Sequence, residues 1–245
     1  MSQELVVFNY ARVEGALQLD SRTFSFYRHD LYIKQKWAAG GKGGSNIGHG
    51  CSVYNCSFVL AKYMENHPHE LGAKHCIEIG CGPGLTSIAC SLAQPAPASI
   101  IATDGDEISV QLAKENIEVN MERVRRCSDI IPCPCEAKKL LWGDLTDMQA
   151  FKKFDCVLAA DVVAVPYESA YEALLTTMLY LLKPDGCVWL CYQQRHASEI
   201  SFFSRFHEVF DIERIDQSCI HEDFQDALVP IQLYKAKPKV DAQLK

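Results

Sequence analysis

Three glycines, Gly80, Gly82 and Gly84, occupy alternate positions where the apolar run at residues 76–79 gives way to the helix-like segment LTSIAC. Glycine adopts positive φ without strain, so such a loop turns tightly and brings its backbone close to a ligand. The following helix offers free N–H groups and the positive end of its dipole. The loop therefore favours an anionic or zwitterionic ligand, with a tight strand-to-helix connection that binds nothing as the alternative.

An acidic residue follows the glycine loop at the spacing expected for a ribose acceptor. Asp104 ends the apolar run SIIATD, about 20 residues after the loop, where a carboxylate can accept hydrogen bonds from both ribose hydroxyls. The dinucleotide-binding pattern needs its third glycine three positions after the second, and this chain has Leu85 there. NAD and FAD are therefore disfavoured, whereas the loop and the carboxylate together indicate an adenosine site.

Short apolar runs alternate with amphipathic segments from residue 74 onward. The expected strands are HCIEIG, SIIATD, KKLLW, FDCVLAAD, CVWLCY and a late run around LVPIQLYKA, and the expected helices include LTSIACSLA, ISVQLAKENIEVN, YESAYEALLTTMLYLL and EISFFSRFHEVF. This alternation predicts an α/β fold with a mostly parallel sheet, helices on both faces and ligands at the carboxyl ends of the strands.

The N-terminal part of the chain has a different pattern. It predicts two short strands in TFSFYRHDLYIKQ, a mobile hinge or lid in the glycine-rich stretch at residues 38–50, and a helix in VYNCSFVLAKYMENH. We therefore expect an N-terminal hairpin and loop extension over residues 1–50, a single α/β domain over residues 51–237 and a frayed tail over residues 238–245.

Composition narrows the classes of partner. A net charge of −7 disfavours a surface that follows nucleic-acid phosphates, and no apolar run reaches the roughly 18 residues that a membrane span needs. The N-terminus lacks the basic and apolar regions of a secretory signal, so we expect a cytoplasmic protein, with the nucleus as the alternative. The twelve cysteines, many in apolar runs, are expected to be reduced and packed, and the cluster at residues 127–135 lacks the paired spacing of a metal site.

A resemblance to a known family follows from these residues. Glu78, Gly80, Gly82 and Gly84 with Asp104 resemble the cofactor-binding signature of seven-stranded, S-adenosylmethionine-dependent methyltransferases. The segments FSFYRHDLYIKQ, VYNCSFVLAKYME, LLWGD, FDCVLAADVV, YEALLTTMLYLLKPDG and YQQR are similar, in order, to those of the protein-lysine methyltransferases of methyltransferase family 16. The resemblance covers nearly the whole chain. It implies a Rossmann-like class I methyltransferase fold with strand order 3-2-1-4-5-7-6 and an antiparallel seventh strand.

The resemblance also implies roles for individual residues. Residues 80–84 would hold the methionine part of S-adenosylmethionine, Asp104 the ribose, and Trp142 and Asp144 the adenine, with S-adenosylhomocysteine as the product. Glu78 belongs to the same signature and is counted with the cofactor-binding residues. Tyr54 stands where relatives commonly carry tryptophan near the methionine end. The alternatives are that Trp142 is a core residue and that Asp144 is the N-cap of a helix.

Asp161, at the end of the apolar run FDCVLAAD, is the candidate catalytic residue. A lysine amine must be neutral to attack, although free lysine has a pKa of about 10.4, and a carboxylate can orient the neutral amine through a hydrogen bond. A solvated loop carboxylate is the alternative. The family pattern Asp-x-x-Tyr has Ala164 at its last position here, so we expect Tyr167 to supply the aromatic ring and Tyr171 to lie on the following helix.

The sequence therefore predicts a protein-lysine methyltransferase that acts as a monomer on a protein such as a translation factor or a chaperone, since family members modify calmodulin, translation elongation factors and the valosin-containing chaperone. One alternative is a nucleic-acid or small-molecule methyltransferase on the same fold. The Asn/Asp-Pro-Pro-aromatic run of adenine-methylating enzymes is replaced here by AADVVAVPY. A second alternative, motivated by Ala164, is a non-catalytic module that keeps the cofactor site.

Overall fold

A computed structural model describes residues 16–36, 50–225 and 229–240, without the side chains of residues 165–167. The predicted hinge or lid at residues 38–50 lies outside the described residues except for Gly50. Residues 1–15 of the predicted extension and residues 241–245 of the predicted tail lie outside them as well.

A seven-stranded sheet forms the centre of the molecule, and a separate two-stranded hairpin precedes it. The hairpin consists of β1 (Ser21–Phe26) and β2 (His29–Lys34); the sheet consists of β3 (His75–Ile79), β4 (Ser99–Asp104), β5 (Cys135–Lys139), β6 (Phe154–Ala160), β7 (Leu182–Gln193), β8 (Phe210–Arg214) and β9 (Ile231–Pro238). The sheet order is β5-β4-β3-β6-β7-β9-β8, and β9 runs antiparallel to both of its neighbours. Numbered within the sheet, this is 3-2-1-4-5-7-6, so the predicted strand order is confirmed.

Helices cover both faces of the sheet, as predicted. They are α1 (Asn55–Asn66), α2 (Leu85–Cys90), α3 (Glu107–Cys127), α4 (Leu145–Gln149), α5 (Tyr171–Leu181) and α6 (Ile200–Val209). Successive strand residues point to opposite faces. Cys76 and Leu158 accordingly join the apolar core under α1, α2 and α3, whereas Ile77 and Val157 join the core under α5 and α6. Among the described residues, no helix is both long and apolar enough to span a bilayer.

The hairpin shares the core of the domain. Phe24, Phe26, Leu31 and Ile33 are buried in the same apolar cluster as the residues under α1, α2 and α3. The predicted boundary at residue 50 therefore separates two stretches of chain that bury their side chains together. Removal of the hairpin would expose that cluster to water.

Two asparagines of α3 complete the open edge of the hairpin. Asn120 accepts a hydrogen bond from the Tyr32 N–H (2.8 Å) and donates one to the Tyr32 carbonyl (2.8 Å). Asn116 forms the same pair with Lys34, at 2.9 and 3.0 Å. Each side-chain amide thus satisfies one strand residue as a neighbouring strand would. The helix thereby closes an edge that would otherwise be open to pairing with another chain.

The structure differs from the predicted elements in two places. The strand predicted at KKLLW ends at Lys139, and the apolar residues Leu140 to Trp142 lie beyond the sheet. Strand β8 directly follows α6 and was not singled out by its sequence pattern.

The cysteine cluster spans the end of α3 and the start of β5, and Cys133 within it is buried. All twelve cysteines are free, and no group of three or more potential metal ligands converges within the described ranges.

Replacement of Asn120 by alanine should lower the free energy of unfolding by about 2 kcal/mol, because the Tyr32 N–H and carbonyl then lose their partner in a partly buried contact. Urea denaturation followed by circular dichroism measures this change. Glu118→Ala, on an exposed position of the same helix, is the matched control and should change stability by less than about 0.5 kcal/mol. Equal effects of the two substitutions would show that the amide pair contributes nothing specific.

Candidate functional site

A cleft lies at the carboxyl ends of β3, β4 and β6, where ligands bind in open α/β sheets. It encloses roughly 900 Å³, including the part that is open to solvent. Its walls are formed by Gly50, Ser52, Tyr54, Ser57, residues 80–83, residues 104–106, residues 140–142, residues 160–162 and Ala170. Of the ten residues predicted for the site, this wall contains Tyr54, Gly80, Gly82, Asp104, Trp142 and Asp161.

The glycine turn between β3 and α2 needs glycine for two separate reasons. Gly80, Gly82 and Gly84 have φ values of 69°, 51° and 87°, in the left-handed region that other residues avoid. A Cβ on Gly82 would lie 2.5 Å from the carbonyl oxygen of Gly50, and one on Gly80 would lie 2.8 Å from Val162. Gly80 and Gly82 line the cleft, whereas Gly84 is the N-cap residue of α2 and lies outside the wall.

Asp104, the last residue of the neighbouring strand β4, fixes the glycine turn in place. Its Oδ2 accepts a hydrogen bond from the Gly82 N–H (3.0 Å), and its Oδ1 accepts one from the Asp106 N–H (3.0 Å). Burial raises the pKa of Asp104 to about 6, although these hydrogen bonds act in the opposite direction. Each carboxylate oxygen retains a lone pair, so Asp104 can still accept hydrogen bonds from a ligand in the cleft.

Asp106 is a residue of the cleft wall that the sequence analysis did not single out. Its Oδ1 caps α3 by accepting from the Ile108 N–H (2.9 Å). Its Oδ2 is buried and has no hydrogen-bond partner within the described part of the chain. A buried carboxylate oxygen without a donor is costly, so this atom is suited to a donor from a ligand. The only sequence signal was an acidic residue at a helix N-cap directly after the ribose-acceptor position.

Glu78 does not line the cleft, in contrast to its predicted role as a cofactor-binding residue. The side chain is 1% exposed, and its Oε2 accepts hydrogen bonds from the Ser87 N–H (3.0 Å) and hydroxyl (2.5 Å). Burial raises the pKa of Glu78 to about 7. The carboxyl group therefore ties β3 to α2 beneath the glycine turn.

Trp142 and Asp144 separate into different roles. Trp142 lines the cleft with its ring against the glycine turn, since a Cβ on Gly80 would lie 3.3 Å from Trp142 Cζ2, and it also packs on the apolar core. Asp144 is the N-cap of α4 and accepts a hydrogen bond from the Asp147 N–H (2.9 Å). It lies outside the cleft wall, so the structure favours the capping alternative for Asp144 over adenine binding.

Tyr54 reaches the cleft because the hairpin holds the segment before α1. The Val53 N–H donates to Gln35 Oε1 (2.8 Å), and the Val53 carbonyl accepts from the buried Arg22 guanidinium (2.8 Å). Tyr54 follows directly as the N-cap residue of α1 and lines the cleft. The N-terminal extension therefore shapes the ligand site through backbone contacts with this segment.

Asp161 follows β6 and lies against the cleft with its carboxylate already paired. Its φ is +62°, a conformation that costs free energy in a residue with a side chain, and its N–H donates to the Cys191 carbonyl (2.9 Å). Arg195 donates two parallel hydrogen bonds to the carboxylate, Nη1 to Oδ1 at 2.6 Å and Nη2 to Oδ2 at 2.5 Å. The Asp161 side chain is only 7% exposed. The structure thus excludes the alternative of a solvated loop carboxylate.

Arg195 is held in turn by Glu199, in the turn after β7. The buried Glu199 carboxylate accepts hydrogen bonds from the Arg195 N–H (3.0 Å) and the Tyr192 hydroxyl (2.6 Å). Burial alone would lower the pKa of Arg195, but the Asp161 carboxylate outweighs burial and raises it, so the guanidinium stays charged. The sequence contained no signal for this ion pair, because only the pairing of β6 with β7 brings residues 161 and 195 together.

The aromatic residue expected beside Asp161 stays a prediction. The side chain of Tyr167 lies outside the described residues. Ala164 is half-buried and precedes the short turn Val165–Ala170. Tyr171 begins α5 and is buried with its ring centroid 5.4 Å from that of Phe202, so it is a core residue on the helix, as expected.

Comparisons with known proteins place this chain in a family. The family model described as lysine methyltransferase matches residues 29–209. The protein-lysine methyltransferase METTL21E of Mus musculus is 33% identical over 197 residues, which cover 78% of this chain and 72% of that protein. The chain belongs to the lysine methyltransferase family. The protein N-lysine methyltransferase METTL21A of Mus musculus is 25% identical over 217 residues, covering 89% of this chain and 87% of that protein.

Solved structures show the same fold at low sequence identity. A methyltransferase from Pyrococcus furiosus aligns with a TM-score of 0.53 and 16% identity, covering 84% of this chain and 89% of that one. A TehB-like SAM-dependent methyltransferase from Corynebacterium glutamicum aligns with a TM-score of 0.50 and 13% identity, covering 74% and 87%. The predicted Rossmann-like methyltransferase fold and the predicted family are both confirmed, and S-adenosylmethionine is the cofactor that this membership indicates.

The residues of the cleft fit S-adenosylmethionine. The molecule carries two ribose hydroxyls, an adenine ring and a zwitterionic methionine end. Asp104 and the unpartnered Oδ2 of Asp106 provide acceptors on one wall, and the ring of Trp142 provides an apolar surface. The turn at Gly80 and Gly82 provides a backbone without side chains for close approach. Size, polarity and shape of the cleft are thus compatible with the family's cofactor.

The affinity for S-adenosylhomocysteine should fall as the pH is lowered through about 6, because Asp104 then takes up a proton and loses an acceptor site. If only the ionised form binds, the dissociation constant should rise roughly fourfold between about pH 8 and about pH 5.5. Isothermal titration calorimetry at several pH values measures this change. Asp104→Asn should bind more weakly near neutral pH and lose the dependence; a wild-type affinity that does not vary with pH would contradict the role of Asp104.

Glu78→Gln should reduce the loss of stability with rising pH. The pKa of Glu78 is about 7 in the folded protein against 4.5 in the unfolded chain, so the unfolded chain releases this proton first. The stabilising contribution of the protonated group is present below about pH 4.5 and is lost as the pH rises through about 7, by up to about 3 kcal/mol. Glutamine keeps an acceptor for Ser87 and does not titrate.

Urea denaturation at several pH values between those limits measures this effect. Glu118→Gln, an exposed position on α3, is the control and should retain the full decline of the wild-type protein. If Glu78→Gln declined as steeply as the wild type, another group would have to be the source of the pH dependence.

Proposed function

We propose that this protein transfers a methyl group from S-adenosylmethionine to a lysine side chain of another protein. The observation that carries the proposal is the placement of Asp161, whose nearly buried carboxylate is paired with Arg195 and forms part of the same cleft wall as Asp104. The relatives named protein N-lysine methyltransferase, METTL21A and METTL21E, support lysine as the acceptor.

The residues of the cleft have to bring an amine to the cofactor in the correct orientation. S-adenosylmethionine, when bound, supplies an electrophilic methyl group on its sulfonium. Asp161 accepts a hydrogen bond from the neutral amine and directs the nitrogen lone pair into the cleft. The Asp161 carboxylate is fixed by two hydrogen bonds from Arg195, so the orientation of the amine is set before reaction. Such positioning supplies a large part of the rate in a bimolecular transfer.

We further propose a cytoplasmic monomer whose substrate is a translation factor or a chaperone, and not a nucleic acid. Twelve free cysteines suit a reducing compartment. A net charge of −7 suits a basic segment of a protein partner better than a phosphate backbone. Helices cover both faces of the sheet, which agrees with a chain that needs no second copy to bury its core.

Incubation of the purified protein with tritium-labelled S-adenosylmethionine and a cell extract should label a protein band, and hydrolysis should recover the label as methyl-lysine. Asp161→Asn should reduce the initial rate of labelling by roughly tenfold or more, because the amine loses its charged acceptor. Its affinity for S-adenosylhomocysteine, measured by calorimetry, should stay within about twofold of the wild type, since the substitution leaves the turn and Asp104 unchanged.

Asp211→Asn, at an exposed position of β8, is the matched control and should label like the wild type. Label found only in RNA or in small molecules would overturn the proposed acceptor. Cofactor binding without any transfer would favour the non-catalytic module that Ala164 suggests.

A further inference from the structure

The Asp161 carboxylate, which is proposed to accept a hydrogen bond from the acceptor amine, is already paired with a cation. Both oxygens of Asp161 accept hydrogen bonds from Arg195, at 2.5 and 2.6 Å, in the parallel arrangement that only a guanidinium provides. The Arg195 side chain is 39% exposed, whereas the Asp161 side chain is 7% exposed. An amine that approaches Asp161 therefore meets an ion pair whose net charge is close to zero, and each oxygen retains one lone pair for it.

Both partners of the ion pair are anchored through their backbones. The Asp161 N–H donates to the Cys191 carbonyl (2.9 Å), and the Arg195 N–H donates to the buried Glu199 carboxylate (3.0 Å). The Arg195 guanidinium also donates to the Gln193 carbonyl (3.1 Å). These contacts hold the guanidinium in place at the end of β7. Arg195 is therefore a fixed partner for the Asp161 carboxylate.

The fixed cation changes which protonation state of a lysine side chain the carboxylate binds. A lone buried carboxylate attracts ammonium, which has no lone pair and cannot attack a methyl group. A guanidinium beside the same carboxylate repels ammonium and leaves the hydrogen bond to the neutral amine intact. The charge of Arg195 therefore opposes the one form of the acceptor that would be unreactive.

The other titratable groups close to the pair do not replace this effect. Within the described residues, those that act most strongly on Arg195 or on its neighbour Cys56 are Glu199 after β7, Cys56 of α1 and Cys191 of β7. Burial raises the pKa of Cys56, so its thiol stays neutral. Glu199 is negative, and its carboxylate is already engaged by the Arg195 N–H and the Tyr192 hydroxyl. Arg195 is the cation that directly contacts Asp161.

We propose that Arg195 is a positioning residue that holds the Asp161 carboxylate in one orientation and, through its fixed positive charge, selects the neutral amine of the acceptor lysine over its ammonium form. The inference rests on the proposed function and adds a determinant of which protonation state reacts. Two properties of Arg195 are involved, its planar fork and its charge, and different substitutions remove them separately.

The test compares the pH dependence of methyl transfer in Arg195→Gln and Arg195→Lys with the wild type. The probe is the extract protein that the wild type labels on lysine, with tritium-labelled cofactor at saturation. Arg195→Gln removes the charge, so the pH of half-maximal rate should rise by about one unit or more and the KM near neutral pH should fall together with kcat. Arg195→Lys keeps the charge and loses the fork, so kcat should fall while the pH of half-maximal rate stays at the wild-type value.

Arg214→Gln, at an exposed position of β8, controls for loss of a positive charge and should leave rate and profile unchanged. Calorimetry with S-adenosylhomocysteine shows whether each variant keeps a folded cofactor site. If Arg195→Gln failed that check, Arg195→Lys alone would still decide, because a shifted profile in a variant that keeps the cation overturns the inference.

The outcomes separate this inference from the proposed function. Equal losses of rate in both Arg195 variants without a shift in pH dependence would show that Arg195 has a structural role only. A faster rate of Arg195→Gln at every pH would show that Arg195 obstructs the site. Either result overturns the inference and leaves lysine methylation standing. A wild-type protein that binds S-adenosylhomocysteine and labels no lysine would overturn both.

Discussion

The close contact between the glycine turn and the segment before α1 is the constraint on which the site depends. The Gly50 carbonyl occupies the place where a side chain on residue 82 would lie, and Asp104 draws the same turn toward β4. Two stretches of backbone thus form one wall without intervening side chains. The hairpin contributes to this wall because Gln35 and Arg22 hold the segment that leads into α1.

Much of this arrangement was accessible from the sequence, because it depends on local chemistry. Alternating apolar runs and helical periods predicted the parallel sheet, and three closely spaced glycines, which the structure places at positive φ, predicted the turn. Asp104 was accessible for the same reason, since a carboxylate at the end of the second strand must lie at the ligand edge. The antiparallel last strand, by contrast, followed only from the family resemblance.

The remaining details depend on the direction in which a side chain points and on contacts between residues far apart in the sequence. The spacing of residue types encodes neither. Glu78 and Asp144 each stand two positions from a cleft residue in the sequence, but one side chain turns inward to Ser87 and the other caps a helix. Leu140 looked like part of a strand and instead lines the cleft beside Trp142, whose place there was expected only from the family resemblance. Arg195 reaches Asp161 only because β6 and β7 lie side by side. A pattern read along one segment contains none of these pairings.

The distribution of the twelve thiols has a consequence for handling the protein. Nine are buried, and Cys127 and Cys219 are exposed. Alkylating reagents consume thiols only where solvent reaches them, and burial in apolar surroundings suppresses the reactive thiolate. The native chain should therefore accept few adducts and the denatured chain twelve. The mass added by a short iodoacetamide pulse would therefore report the fraction of unfolded molecules directly, without an introduced dye or a fluorescent tag.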